Sequence, residues 1–275
     1  MQTRTRRNTS VIVGAVLVGL VVLAALVSFF WTPHDPVKVN AAVRLLGPTG
    51  DHVFGTDKFG RDVASQIMVG ARTTLYVGVV AVGIAAVIGT PLGILAGMSN
   101  RWLGEFVMRV NDLVLAFPAL LLAIMFGAVY GASTLTAMVA IGIATVPSFA
   151  RIARSGTLQV MSTEYVLAAR SSGRSRPNIA LRHVLPNISG LLIVQASVSF
   201  AIAVLAEAAL SFLGFGTRPP TPSWGRMLQE SQELLTVQPR LALVPGIAIA
   251  LAVLGFNLLG DGLRDRFDPR LAVRK

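Results

Sequence analysis

The chain has 275 residues, of which 53% are hydrophobic and only 13% charged, with a mean hydropathy of +0.68 and a formal net charge of +11. Soluble domains carry about 25% charged residues, so this composition excludes an ordinary water-soluble globular protein. The absence of cysteine excludes disulfides and thiolate metal sites, and no aromatic-rich basic groove accompanies the positive charge, so no nucleic-acid partner is expected.

Six apolar runs are long enough, alone or with their flanks, to cross about 30 Å of hydrocarbon as helices. They are 11–30, 74–98, 113–130, 135–150, 191–206 and 241–259. The first follows Arg4, Arg6 and Arg7, as a signal peptide would. It outruns a usual signal core, however, and leads into bulky SFFWTPHDP rather than a small-x-small cleavage site, so it reads as a retained helix. A polar segment, 31–73, separates it from the second span, and the fourth and fifth spans are expected to extend into their flanks. The division is therefore 1–73, a helix with an external segment, and 74–275, a five-helix core.

Segment 31–73 contains GTDKFGRD, in which Asp57 and Asp62 flank Lys58 and Arg61 around Gly60. This spacing favours an ion-paired turn. A ligand site is the alternative, although hard cations want several convergent oxygens. In the second span Gly89, Gly93 and Gly97 share a helical face, which lets a helix of this chain or of another subunit approach closely. Pro91, Pro118, Pro147 and Pro245 lie inside spans and are expected to kink them. Arg109 and Asp112, three residues apart, are expected to pair locally, with a gate contact as the sharper alternative.

The polar stretch 162–187 reads as an elbow. Ser162 or Thr163 can cap a helix with Glu164 in its first turn, Gly173 interrupts it, and Pro177 opens a second short helix to about His183. Leu185-Pro186 is expected to stop that helix and turn the chain toward the membrane. In the fifth span Glu207 is either buried at membrane depth, and so a pathway candidate, or paired with an arginine among headgroups. Trp224, Met227, Leu228, Ser231 and Leu235 fall on one face, which fits a short amphipathic helix on the outer membrane surface or beneath a docked protein. The tail carries Asp261, Asp265 and Asp268 interleaved with Arg264 and Arg266, suggesting ion pairing after the last helix. The three histidines, His34, His52 and His183, show no metal-ligand spacing, so no bound metal is expected.

Most of the 24 Lys and Arg residues fall on the side that holds both termini and the 151–187 loop. The positive-inside rule makes that side cytoplasmic, and the excess charge suits contact with anionic lipid. The fold expected is all-α: a polytopic membrane protein with six transmembrane helices and both termini in the cytoplasm.

The frame Ala168-Ala169, Gly173, Leu185-Pro186 resembles the cytoplasmic "EAA" loop of bacterial ABC importer permeases. With GTDKFGRD, EAALSFLGFGTRPPTPSWGRML from Glu207 and FNLLGDGLRDRFDPR from Phe256, the chain is similar to the second permease subunit of the dipeptide/oligopeptide/nickel import family from about His34 to Arg270. The resemblance implies a coupling helix that docks on a separate ATPase through Leu167, Ala168, Ala169, Gly173, Pro177, His183, Leu185 and Pro186. It departs at Leu167, where the family has Glu, and at His183, where it has Ile. It implies an external gate or binding-protein contact at Asp57, Gly60, Arg61 and Asp62; the pathway or gate candidates Asp112 and Glu207 rest on their own position in the spans.

The implied partners are a homologous second permease, two ATPase subunits that hold ATP and Mg, an extracytoplasmic solute-binding protein and a peptide substrate. No cofactor is expected on this chain, which has no G-x-x-x-x-G-K-[ST] sequence and would not itself be an enzyme. The implied location is the bacterial inner membrane, with nickel or a nickel chelate as the alternative solute. A lone ion-coupled carrier is the rival outside the family, but no internal repeat supports it.

Overall fold

The structure is a computed structural model that describes residues 2–267, with side chains from 9 to 265. Among the described residues it is helical without a sheet, and Thr56 and Asp62 form an isolated antiparallel bridge. The side chains of Arg4, Arg6, Arg7 and Arg266, together with Asp268 and the last basic residues, lie outside the described part. Asp261 and Asp265 fall within the last helix rather than in a tail beyond it.

Five helices are long and apolar enough to cross a membrane, or six spans if one bent pair counts as a span. They are α1 (Gln2–Phe30), α2 (Val63–Met98), the pair α3 (Arg101–Ala116) and α4 (Ala119–Tyr130), α5 (Thr134–Met161), α8 (Leu185–Phe212) and α10 (Arg240–Phe267). Between them lie the short helices α6 (Glu164–Ser171), α7 (Arg176–Ile179) and α9 (Trp224–Ser231). Helix α2 starts ahead of its apolar run because the Asp62 carboxylate caps it, accepting from Ser65 N.

The prolines divide into two kinds. Pro91, Pro147 and Pro245 sit inside continuous helices, whereas α3 and α4 diverge by 80° at Pro118. Phe117, just before it, is extended at φ −81° and ψ 125°, the conformation that a following proline ring favours. The third apolar span is thus a broken helix.

Three apolar clusters follow one another along α2. The first joins Val63 and Ala71 to α1, α8, α9 and α10, and includes Trp224 and Ile249. The second packs Val77 and Ala81 against Ala123, Met138 and Leu210. The third lies where Ile94 and Met98 meet Ala153, Val166, Ile179, Val184 and Ile188. Outward-facing Leu20, Val79, Val87 and Leu243 remain exposed, which is the surface that lipid covers in a membrane protein.

The glycine stripe packs α2 on α5 of the same chain. A Cβ at Gly89 would lie 2.6 Å from Val146 O, and one at Gly93 would lie 2.3 Å from Ala150 O. This pairing is the most extensive between helices in the molecule.

Helix α9 is not a surface anchor. Trp224 and Met227 are buried, and the Trp224 indole donates to Ile67 O at 3.0 Å. Its apolar face is spent on α2, α8 and α10 instead of lipid. Trp224→Phe keeps most of that packing but removes the donor, so it is expected to cost about 1 kcal/mol. The check is a modestly lowered unfolding midpoint in detergent; an unchanged midpoint would mean that the indole bond contributes nothing.

Candidate functional site

Two clusters of sequence-predicted residues sit at opposite ends of α2. At one end is the elbow. Helix α6 begins after Thr163, whose hydroxyl donates back to Val160 O at 2.6 Å rather than capping forward. Ser162 likewise closes α5 instead of opening α6. The break falls at Gly173, where φ is +76° and a Cβ would meet nothing within 4 Å. Only the backbone conformation therefore requires glycine there.

Beyond the break the structure corrects the expected stop at Leu185-Pro186. Pro177 stands in the first turn of α7 as expected, but the helical run continues through a π turn, Ala180–Val184, directly into α8. The wider turn takes up the missing Pro186 N–H, and the Asn187 side-chain amide donates to His183 O at 2.7 Å. Arg176–Phe212 is consequently one helical span of 37 residues.

The elbow presents one face and buries the other. Val166, Ile179 and Val184 seal it to α5 and α8, while Ala168, Gly173, Pro177 and Pro186 are exposed. Leu167 and Leu181 are 49% and 65% exposed. His183 is partly buried with its ring 6.0 Å from Tyr165. An apolar leucine held outward on a rigid support is suited to contact with another protein.

Asp112 does not pair with Arg109. Its carboxylate accepts from Arg151 at 2.6 Å and so ties α3 to α5. Spacing along one helix could not reveal that partner.

At the other end of α2, GTDKFGRD forms a capped turn. Asp57 accepts from Phe59 N and Arg61 N, and its second oxygen accepts from Arg61 Nε at 2.7 Å and Gln66 Nε2 at 3.0 Å. Gly60 has φ +74°, and a Cβ there would overlap Asn40 O. Arg61 also donates to Glu230 on α9, which Arg226 holds at 2.8 Å. The guanidinium of Arg240 donates to Phe54 O and Leu46 O, joining the segment to α10. The ion-paired reading therefore describes Asp57 and Arg61, and the network extends across three elements.

Asp62 has a different setting. It is buried, and its Oδ1 lies 2.9 Å from His52 Nδ1 and 3.8 Å from His34 Nδ1. The expectation that the histidines form no cluster with metal-ligand spacing fails for these two, because the fold brings residues far apart in sequence to one carboxylate. His183 lies at the elbow instead.

Glu207 is 1% exposed within α8 and has no arginine partner among the described residues. Its Oε1 accepts from Ser211 Oγ at 2.7 Å and lies 3.4 Å from Thr217 Oγ1, while Ser211 Oγ in turn accepts from Thr217 N. The carboxyl thus pins the chain that follows α8. Glu207→Ala would leave buried donors without an acceptor and is expected to cost about 1–3 kcal/mol, whereas Glu207→Gln keeps an oxygen acceptor. Thermal unfolding in detergent should show the alanine variant clearly destabilised and the glutamine variant close to wild type. Equal damage from both would mean that the hydroxyl contacts are not what matters.

Comparison with known proteins places this arrangement. A family model described as "Binding-protein-dependent transport system inner membrane component" matches residues 89–273. The dipeptide transport system permease protein DppC of Alkalihalophilus pseudofirmus is 42% identical over 266 residues, covering 97% of this chain and 88% of the relative. The glutathione transport system permease protein GsiD of Pectobacterium atrosepticum is 40% identical over 262 residues, covering 94% and 87%. A putative peptide transport system permease protein of Brucella suis is 41% identical over 270 residues, covering 98% and 91%. Among solved structures, a chain of the MetNI methionine ABC transporter in an inward-facing conformation aligns with a TM-score of 0.62 and 18% identity, covering 74% of this chain and 96% of that chain, a likeness of fold. The chain belongs to the family of binding-protein-dependent transport system inner membrane components: it is a multi-pass permease subunit of an ABC importer, and a transport component rather than an enzyme.

Proposed function

We propose that this permease carries di- or oligopeptides inward and is driven by separate ATPase subunits that dock on the 164–187 elbow. The observation that carries the coupling reading is the elbow's two-sided build: a sealed inner face on α5 and α8, and an outward face with Leu167 and Pro177 exposed. A support packed in this way transmits a push to α5 and α8 rather than absorbing it. Both termini and the elbow then face the cytoplasm, as the distribution of basic residues favours. A homologous second permease completes the pathway, an external binding protein delivers solute at the Asp57–Arg61 end, and ATP with Mg is held by the ATPase chains. Leu167, at the family's Glu position, makes the first contact apolar.

The peptide assignment rests on the relatives named for dipeptide, peptide and glutathione transport. Glutathione is itself a small peptide, so the two names describe related cargo. The test is ATP-dependent uptake by the complete complex in proteoliposomes, with labelled dipeptide competed by unlabelled dipeptide, glutathione or Ni2+. Competition by peptides supports the reading. Uptake competed by Ni2+ alone would move it to metal import, and uptake driven by an ion gradient without ATP would overturn the coupling.

A further inference from the structure

The His34, His52 and Asp62 side chains converge where segment 31–62 meets the start of α2, and the ion-pair network beside them does not use them. Their ligand atoms all lie within 4.8 Å of one another. The two imidazole rings are 4.4 Å apart and tilted by 32°. Side-chain exposure falls from 41% at His34 through 15% at His52 to 1% at Asp62.

Each group is held from behind. Asp62 Oδ2 accepts from Ser65 N at 2.8 Å and Ser65 Oγ at 2.7 Å, so the helix cap occupies that oxygen and leaves Oδ1 facing the two rings. Ser65 Oγ also accepts from His34 N at 2.9 Å. His52 sits in a turn closed by its own N–H to Thr49 Oγ1 at 3.1 Å and by Gly55 N to its carbonyl at 2.8 Å. The contacts to Asp62 are of the kind that orient a metal-ligating carboxylate, and the backbone bonds fix where the two histidines start.

A single histidine–aspartate hydrogen bond accounts for His52. It does not account for a second imidazole nitrogen turned to the same oxygen at 3.8 Å, beyond hydrogen-bond reach. Two imidazoles and one carboxylate form a donor set for a borderline-soft divalent ion. Around a tetrahedral zinc such donors stand about 3.3 Å apart, as bond lengths near 2.0 Å require. His34, 41% exposed, is the least confined of the three side chains and the one whose movement would close the difference. With three protein ligands, one position stays open toward solvent on the His34 side.

We propose that His34, His52 and Asp62 form a site for a divalent transition ion of the Zn2+ class, which clips segment 31–62 to the N-terminus of α2. The site stands on this geometry alone and does not depend on which solute is carried. An imidazole ligates through a nitrogen that carries no proton, so His52 would present Nδ1 to the ion as its Nε2–H tautomer.

The test is a Zn2+ titration of the detergent-solubilised full-length chain, in its complex and without a polyhistidine tag, followed by calorimetry with bound zinc counted by mass spectrometry. Wild type is expected to bind one equivalent more than His34→Ala or His52→Ala, or to lose at least ~10-fold in affinity in each variant. Millimolar Mg2+ should not compete, because it prefers oxygen donors. Asp62→Asn, which keeps an oxygen able to cap α2, guards against misfolding: it should elute like wild type and still bind zinc more weakly. Unchanged zinc binding in the histidine variants, no binding by wild type, or full competition by Mg2+ would each overturn the site.

Discussion

Gly93→Leu should leave little folded protein. A Cβ at Gly93 would lie 2.3 Å from Ala150 O and 2.6 Å from Ala153 Cβ, so the first atom of any side chain meets backbone, which cannot rotate away. Gly89 and Gly97 bring the same helix equally close to Val146, Phe149 and Thr157, so α2 cannot slide to make room. Overpacking a tight core usually costs ~1–3 kcal/mol, and a leucine adds three further carbons where the first does not fit. The expected result is loss of the monodisperse peak in detergent gel filtration, with Gly93→Ala intermediate. As a control, Gly83→Leu, where a Cβ meets nothing within 4 Å, should behave as wild type. A Gly93→Leu variant that matched the control would mean that α2 and α5 do not pack backbone to backbone.

Gly173→Pro should abolish transport and leave the membrane part intact. Gly173 has φ +76°, whereas a proline ring holds φ near −65°, so the break between α6 and α7 cannot keep its shape. Proline also removes the Gly173 N–H that donates to Arg170 O at 3.0 Å, a bond within the elbow, and the sealed cluster of Val166, Ile179 and Val184 lies on either side of it in sequence. Damage should therefore stay in the elbow. Expected are normal membrane insertion, normal detergent behaviour and uptake at background. Gly173→Ala, whose cost for a left-handed residue is about 1–2 kcal/mol, should lower uptake only in part. Full uptake by the proline variant would mean that the elbow's shape is not used in coupling.

These two sites differ in how legible they were. The glycine spacing showed that some helix must come close, but not which one, because periodicity marks a face and says nothing of what lies against it. The elbow was readable nearly residue by residue, since caps, breaks and proline act locally. The structure differs at Ser162 and Thr163, whose hydroxyls bond backward into α5, and at Leu185-Pro186, where a π turn carries the helix past a proline that a regular turn would reject. Hydropathy marks the spans without regard to backbone direction, and it is Pro118, one of four prolines expected to kink a span, that marks the 80° bend between α3 and α4. Hydropathy also placed Trp224 at the lipid surface, since an amphipathic face looks the same whether lipid or another helix covers it.

Pairing across the chain was the least legible. Asp112 meets Arg151 rather than Arg109, Arg61 meets Glu230 as well as the expected Asp57, and His34 meets His52 and Asp62. Each partner is set by how helices and loops pack in three dimensions. Glu207 is buried and meets hydroxyls rather than an arginine among the described residues. Its hydroxyl partners lie a turn away at Ser211 and just past the helix end at Thr217.

If this permease works through ATPase chains held at its elbow, those chains should travel with it. The most direct measurement is purification of the tagged chain from membranes in mild detergent, with copurifying chains identified and counted by mass spectrometry. Expected are a second permease and two ATPase subunits with the wild-type chain, and loss of the ATPase subunits alone with Leu167→Asp. A chain that purifies without any ATPase after careful stabilisation would contradict that coupling.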